Sequence, residues 1–192
     1  MASKPGERKL QILQTVAQML EQPKGEKITT AALAAKLELS EAALYRHFAS
    51  KAQMFEGLIE FIEQTVFGLI NKITQEEKSG LQQAGAIVAM LLGFAQKNRG
   101  MTRVLIGDAL VNEDERLQQR INQMLDRIEA TLKQSLRMAA TQGEMGEAVD
   151  VGAHANLLVC YVIGRWQQFA KSGFARDPVA QWPVQSAMLL DK

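Results

Sequence analysis

The stretch Ile28–Lys51, ITTAALAAKLELSEAALYRHFASK, decides how this chain of 192 residues is read. Thr29, Ser40 and Ser50 each stand just ahead of a helix-forming segment. A side-chain oxygen at that position accepts one of the N–H groups that a first helical turn leaves unpaired. The spacing predicts short helices over 30–37 and 41–48, with Leu33 and Leu37 facing inward, and a long helix from Lys51 to about Lys78. Two short helices joined by a turn of three or four residues make a helix-turn-helix unit, whose second helix enters the DNA major groove. A plain helical hairpin with ordinary caps is the alternative.

The residue types at the edges of this unit suit DNA. Thr29, Thr30 and Ser40 bring hydroxyls and unpaired N–H groups to helix N-termini, where phosphate oxygens bind well. Tyr45 offers a phenol to the DNA backbone, and Lys51 a phosphate-directed point charge. Ala42 and Ala43 leave room for close approach to base edges or a thymine methyl. Arg46 and His47 complete the candidate DNA face.

Outward from this unit the apolar residues keep a three-to-four spacing, and no stretch alternates with period two long enough to make a sheet. The expectation is an all-α chain of about nine helices. A three-helix DNA-binding domain would occupy residues 1–50, and a helical core and dimerisation domain residues 51–192. The first helix is expected over 7–21, with Leu13, Val16, Ala17 and Leu20 inward and Pro23-Lys24-Gly25 ending it. The fourth carries a stripe of Phe55, Leu58, Ile59, Ile62, Val66, Leu69, Ile70 and Ile73. Later helices are expected over 80–98, 100–110, 112–141, 149–172 and 178–190, with a mobile loop around Gln142–Gly146.

The eighth of these has no polar face across Leu157–Ile163. Trp166 and Phe169 follow, so a second copy of the chain is expected to cover part of it. Leu158, Tyr161, Val162, Trp166 and Phe169 are the candidate interface residues, with Trp182 from the ninth helix and Cys160 as a small core residue there. Isologous pairing supplies the two-fold symmetry that a palindromic site requires.

Composition narrows the function classes. Lys and Arg total 22 against 21 Asp and Glu, a net charge of +1. Residues 1–51 hold eight basic against five acidic residues, and the remainder fourteen against sixteen, so the excess sits at the front. The single cysteine, Cys160, excludes an intramolecular disulfide, and no Cys/His cluster suggests a metal. The start of the chain turns charged rather than apolar, and the longest uncharged apolar stretches fall short of the roughly 20 residues a bilayer span needs. A soluble, cytoplasmic protein is expected. His47 and His154 are the only histidines, which gives little footing for an enzyme. The acidic residues Asp108, Glu113, Asp114 and Glu115 read as capping and solvating the seventh helix.

Leu44-Tyr45-Arg46-His47-Phe48 followed by Ser50-Lys51 resembles the signature of the TetR family of dimeric helix-turn-helix proteins. The likeness extends through Leu58-Ile59-Glu60-Phe61-Ile62-Glu63, Leu91-Leu92-Gly93-Phe94, Asn98, Thr102-Arg103 and Arg116-Leu117-Gln118 to the nucleoid-occlusion branch of that family. It implies a nucleoid-associated homodimer that binds palindromic double-stranded DNA, contacts the acidic C-terminal tail of the tubulin-like division protein FtsZ, and needs neither a cofactor nor a small-molecule ligand. By position, the FtsZ contacts would fall on Phe61, Met90, Gly93, Lys97 and Asn98. Spacing alone leaves Phe61 open to two readings, a partner contact or a second buried side of a long helix.

Two departures stand out: Leu69 occupies a place where that branch usually has an arginine, and Lys97 replaces another. Lysine keeps the charge but not the planar fork, and leucine keeps neither. The basic arm is short as well, with Lys4, Arg8 and Lys9 alone ahead of the first apolar face. The second functional reading is a TetR-type repressor whose C-terminal domain binds a small inducer, with the apolar fifth helix and Trp166 lining the pocket.

Overall fold

The computed structural model describes residues 5–22, 28–146 and 148–190. Among them the regular elements are all helical: α1 (Pro5–Leu20), α2 (Thr30–Lys36), α3 (Glu41–Tyr45), α4 (Lys51–Glu76), α5 (Gly80–Lys97), α6 (Arg99–Leu105), α7 (Glu115–Thr141), α8 (Val151–Lys171) and α9 (Trp182–Leu190). A short 3-10 turn covers Asp108–Leu110. Lys4 and the expected stop at Pro23-Lys24-Gly25 lie outside the described residues.

The chain divides into two compact units, but not at residue 50. The first unit runs to Ile62 and takes in Asn98–Ile121; the second holds Glu63–Lys97 and everything from Asn122 onward. Helix α4 is divided near its middle between the units, whereas α7 gives only its first two turns to the first. The unit that holds the helix-turn-helix thus gains α6 and the head of α7, segments distant in sequence that no local pattern assigns to it.

In the first unit, α1 buries Ile12, Val16, Ala17 and Leu20, and the helix-turn-helix buries Leu33, Leu44 and Phe48. Ile12 is fully buried although the expected stripe passed it over; Leu13 is only half-buried. Helix α6 lies hard against α1. A Cβ placed on Gly100 would stand 1.9 Å from the carbonyl oxygen of Ala17, so only glycine lets the two backbones approach this closely.

Two helices are shorter here than their patterns suggest. Helix α3 stops at Tyr45, where the His47 N–H reaches back only three residues to the Leu44 carbonyl at 3.0 Å, an oxygen it shares with the Phe48 N–H at 3.3 Å. That tightened turn carries Phe48 into the core. The sixth helix ends at Leu105, and a left-handed Gly107 (φ 77°) leads into the 3-10 turn.

In the second unit, α5 and α8 form the centre. The two helices pack together, with Ile87, Val88, Leu91, Leu92 and Ala95 of α5 and Leu158, Val162, Trp166 and Phe169 of α8 all buried, and Leu132, Leu136 and Ala139 of α7 buried as well. Trp166 is fully buried and donates its Nε1–H to the Leu91 carbonyl at 3.1 Å. Ser135 donates to Gln83 Oε1 at 3.0 Å, and Gln83 Nε2 donates to the carbonyls of Thr74 and Glu77, closing the end of α4. From Ile62 onward the α4 stripe narrows to every fourth residue, with Val66 and Ile70 buried in this unit, and Leu69 is 40% exposed rather than inward.

The loop after α7, expected to be mobile, is tied down. Gln142 Oε1 accepts from Gly80 N and Glu144 Oε2 from Leu81 N, both at 2.9 Å, so this loop caps the start of α5. Helix α9 begins at Trp182 instead of Pro178; Pro183 then falls in its first turn, where a missing N–H costs nothing.

Candidate nucleic-acid interface

The two short helices and the start of α4 are shaped by their caps. Thr29, in extended backbone, accepts the Ala32 N–H on Oγ1 at 3.1 Å, and Ser40 accepts the Ala43 N–H on Oγ at 3.1 Å. Ser50 does the same for Gln53 N at 3.2 Å, and Gln53 Oε1 reaches back to Ala49 N at 2.8 Å. Each cap spends an oxygen lone pair, and the hydroxyl proton remains available to a phosphate. Between α2 and α3 the chain turns through a left-handed Glu38 (φ 54°), and Leu39 N returns to the Ala34 carbonyl at 2.9 Å. Thr30 Oγ1 donates to Glu41 Oε2 at 2.7 Å and so links the two short helices directly.

This geometry leaves one face open. Thr29, Ser40, Ala42, Tyr45 and Arg46 are exposed, and Thr30, Ala43 and His47 half-exposed. Tyr45 is 43% exposed, an uncommon placement for a large aromatic with no core to fill. All eight belong to the first unit and lie between Thr29 and His47.

Lys51 is a correction. Its ammonium is held by the carboxylate of Glu113, from the segment between α6 and α7, and lies 5.6 Å from the Phe55 ring centre. The two side chains are 25% and 13% exposed, so Lys51 is not the free phosphate-directed charge its position suggested. The acidic cluster divides accordingly. Asp108 pairs with Arg103 Nε at 2.8 Å, and Glu113 with Lys51. Asp114 takes the helix-start role, accepting both the side-chain and backbone N–H of Arg116, which hold its carboxyl below the usual carboxylate range.

The residues expected to meet a protein partner fall in both units. In the first, Phe61 is 38% exposed on α4, which removes the reading that buries it, and Asn98 is half-buried ahead of α6. In the second, Met90 and Gly93 on α5 are half-buried and Lys97 is exposed; a Cβ on Gly93 would meet nothing within 4 Å.

The expected dimer residues need sorting. Leu158, Val162, Trp166 and Phe169 are buried in the second unit's own core, so they have no surface left for a second copy. Tyr161 donates to Gln185 Oε1 at 2.8 Å and its ring centre lies 5.7 Å from that of Trp182, so Tyr161 joins α8 to α9, as His154 also does through the Leu189 carbonyl. Burial raises the Tyr161 phenol above its ordinary value. The open face of α8 is instead Asn156, Leu157, Cys160 and Gly164, with Val184 and Met188 on α9. Cys160 is exposed, not part of the chain's own core.

Residues 17–58 match the family described as bacterial regulatory proteins of the tetR family, and residues 78–192 match an SlmA-like family described as the tetracyclin repressor-like C-terminal domain. Proteins called nucleoid occlusion factor SlmA are similar across nearly the whole length. That of Alteromonas mediterranea is 50% identical over 97% of this chain and 95% of its own. That of Marinomonas sp. is 49% identical over 98% and 96%, and that of Idiomarina loihiensis 48% over 99% of each.

The chain belongs to the SlmA family. Within solved structures it shares the TetR fold: the fatty acid degradation regulator FadR from Bacillus halodurans superposes with a TM-score of 0.79 at 15% identity, over 99% of this chain and 97% of that one. A TetR regulator from Haloarcula marismortui gives 0.78 at 14% identity, over 96% and 97%. This is a family of DNA-binding regulators and not of enzymes. No helix among the described residues is long and apolar enough to cross a membrane.

For this SlmA-family chain, local sequence reasoning gave Glu113 to the cap and solvated face of the seventh helix, and misread the phase of α8. Glu113 meets Lys51 across 62 residues of chain, and no local pattern carries that signal. On α8 the apolar residues run all the way round, so their order does not say which side the chain itself fills.

Proposed function

We propose that this chain is a nucleoid occlusion factor: a dimer that binds palindromic double-stranded DNA and, when bound, contacts FtsZ and blocks Z-ring assembly over the nucleoid. The carrying observation is the near-50% identity to SlmA proteins over almost the entire length, second unit included. The exposed Thr29, Ser40, Ala42, Tyr45 and Arg46 support the DNA part, since together they offer hydroxyl donors, one cation and small residues at the front of α3. The apolar open face of α8, with Leu157 51% exposed and Val184 and Met188 more so on α9, supports a second copy there.

For the FtsZ part, the reading assigns Phe61 and Asn98 of the first unit and Met90, Gly93 and Lys97 of the second. An exposed aromatic and a cation are fit contacts for an acidic, partly apolar peptide. The inducer alternative loses its lining: Trp166 and the inward face of α5 are filled core, and the Trp166 N–H is already used by Leu91.

The test is FtsZ polymerisation followed by light scattering, with purified protein, with and without a palindromic duplex. Shortened or fewer polymers in the presence of protein and duplex are expected. Polymerisation unchanged under both conditions, alongside confirmed DNA binding, would leave only a DNA-binding regulator.

A further inference from the structure

Lys51 opens α4 directly after the recognition helix, where a lysine in a DNA-binding face neutralises a phosphate. Its ammonium is nevertheless occupied by Glu113. The segment carrying that carboxylate is firmly built. Gly107 turns it through φ 77°, a conformation that disfavours a side chain, and Asn112 turns it again at φ 65°. Arg103 pairs with Asp108 at 2.8 Å and donates to the Gln22 carbonyl at 2.9 Å, fastening the segment's start to the end of α1. Arg116 meets Glu56 at 3.5 Å, fastening its other end to α4. Glu113 is thus delivered to Lys51 by a braced loop within one unit, and not by a chance surface encounter.

We infer that Glu113 is a built-in competitor for DNA phosphate: it holds the Lys51 ammonium in the free protein, and DNA must displace it to recruit Lys51. Affinity is thereby set below what the same surface delivers without the carboxylate. A phosphate and a carboxylate ask for the same donors, and the pair is partly exposed, so exchange needs no deep desolvation. The net cost is small, and the arrangement acts as a brake on sequence-independent binding, where every cation counts equally. This inference rests on the DNA-binding reading above.

The test is a double-mutant cycle read by fluorescence anisotropy, on a labelled duplex selected from a random-sequence library by the wild-type protein. Glu113→Gln is expected to bind about three- to tenfold tighter at moderate salt, the range set by the modest worth of an ion pair that keeps some contact with solvent. Its log–log salt dependence should steepen by up to about 0.9 for each protomer, since a phosphate contact is gained with no ion taken up by the carboxylate. Lys51→Ala should bind more weakly than wild type. The deciding result is the cycle: in the Lys51→Ala background, Glu113→Gln should add nothing beyond the small gain from any lost negative charge, which Glu115→Gln measures.

Equal gains in both backgrounds would show a general field effect and overturn the inference. So would unchanged or weaker binding by Glu113→Gln with an unaltered melting temperature. If Glu113→Gln melts early, Glu113→Asp, which keeps the charge on a shorter stem, takes its place: an intermediate affinity upholds the competition, and wild-type affinity overturns it. Failure of the wild-type protein to select any duplex would instead overturn the DNA-binding reading, and the inference with it.

Discussion

Glycine-to-alanine substitution at two helical positions should shift stability in opposite directions. At Gly100, near the start of α6, a new Cβ would stand 1.9 Å from the Ala17 carbonyl oxygen and 2.8 Å from its carbon. Both are backbone atoms, so no side chain can swing aside; α1 and α6 must part by about 1 Å before the contact is tolerable. The parting loosens Ile12, Val16 and Val104, all buried, and stretches the Arg103 bond to the Gln22 carbonyl. Overpacking of this kind costs about 1–3 kcal/mol, and a backbone-on-backbone clash belongs at the upper end. At about 2–4 °C per kcal/mol for a chain of this size, Gly100→Ala should melt roughly 6–12 °C early.

At Gly93, inside α5, the same Cβ meets nothing within 4 Å. There the helix gains only the propensity difference, up to about 1 kcal/mol, or about 2–4 °C in the favourable direction. Calorimetry of both variants at pH 7 decides the matter. Gly100→Ala melting within a degree of wild type would refute the close approach of α1 and α6. An early-melting Gly93→Ala would show that α5 is covered at that point.

Tyr45→Ala should weaken binding to the selected duplex about tenfold without changing the dimer, as loss of one phosphate-directed hydroxyl per protomer implies; sedimentation and anisotropy on the same sample test it. Phe61→Ala should leave DNA affinity alone and weaken capture of an FtsZ tail peptide by tenfold or more, and early melting in its place would mark Phe61 as structural. Leu157→Arg should give a folded monomer by analytical ultracentrifugation, since Leu157 is 51% exposed on the chain itself; a persisting dimer would move the interface elsewhere. Asp150 accepts from Ala153 and Gly152 N–H at the start of α8, and these bonds hold its carboxyl below the ordinary 3.8. Its lowered value means that the stabilisation is full above about pH 4 and fades as pH falls through the folded value. The melting advantage of wild type over Asp150→Ala should therefore shrink from pH 7 to pH 3.

The helix-turn-helix was legible because its information is local. Thr29, Ser40 and Ser50 cap the three helices that their positions announce, and Leu33 and Leu37 turn inward at the spacing of the pattern. An N-cap is satisfied by an N–H three residues on, so a short window contains the whole interaction. Ends of helices were harder, since Phe48, Gly107 and Asn112 stop or redirect the chain for the sake of distant packing.

What sequence by itself determined, then, is the helical composition, the capped recognition unit and the family signature around Tyr45 and Lys51. Tertiary structure alone decided how those residues are employed. It placed α6 on α1 through Gly100, spent Trp166 and Val162 on the protomer's own core, and turned Leu157 and Cys160 outward. Above all it set Glu113 on Lys51. The physical reason is range: capping and periodicity act within a turn or two of helix, whereas an ion pair or a core contact depends only on distance in space.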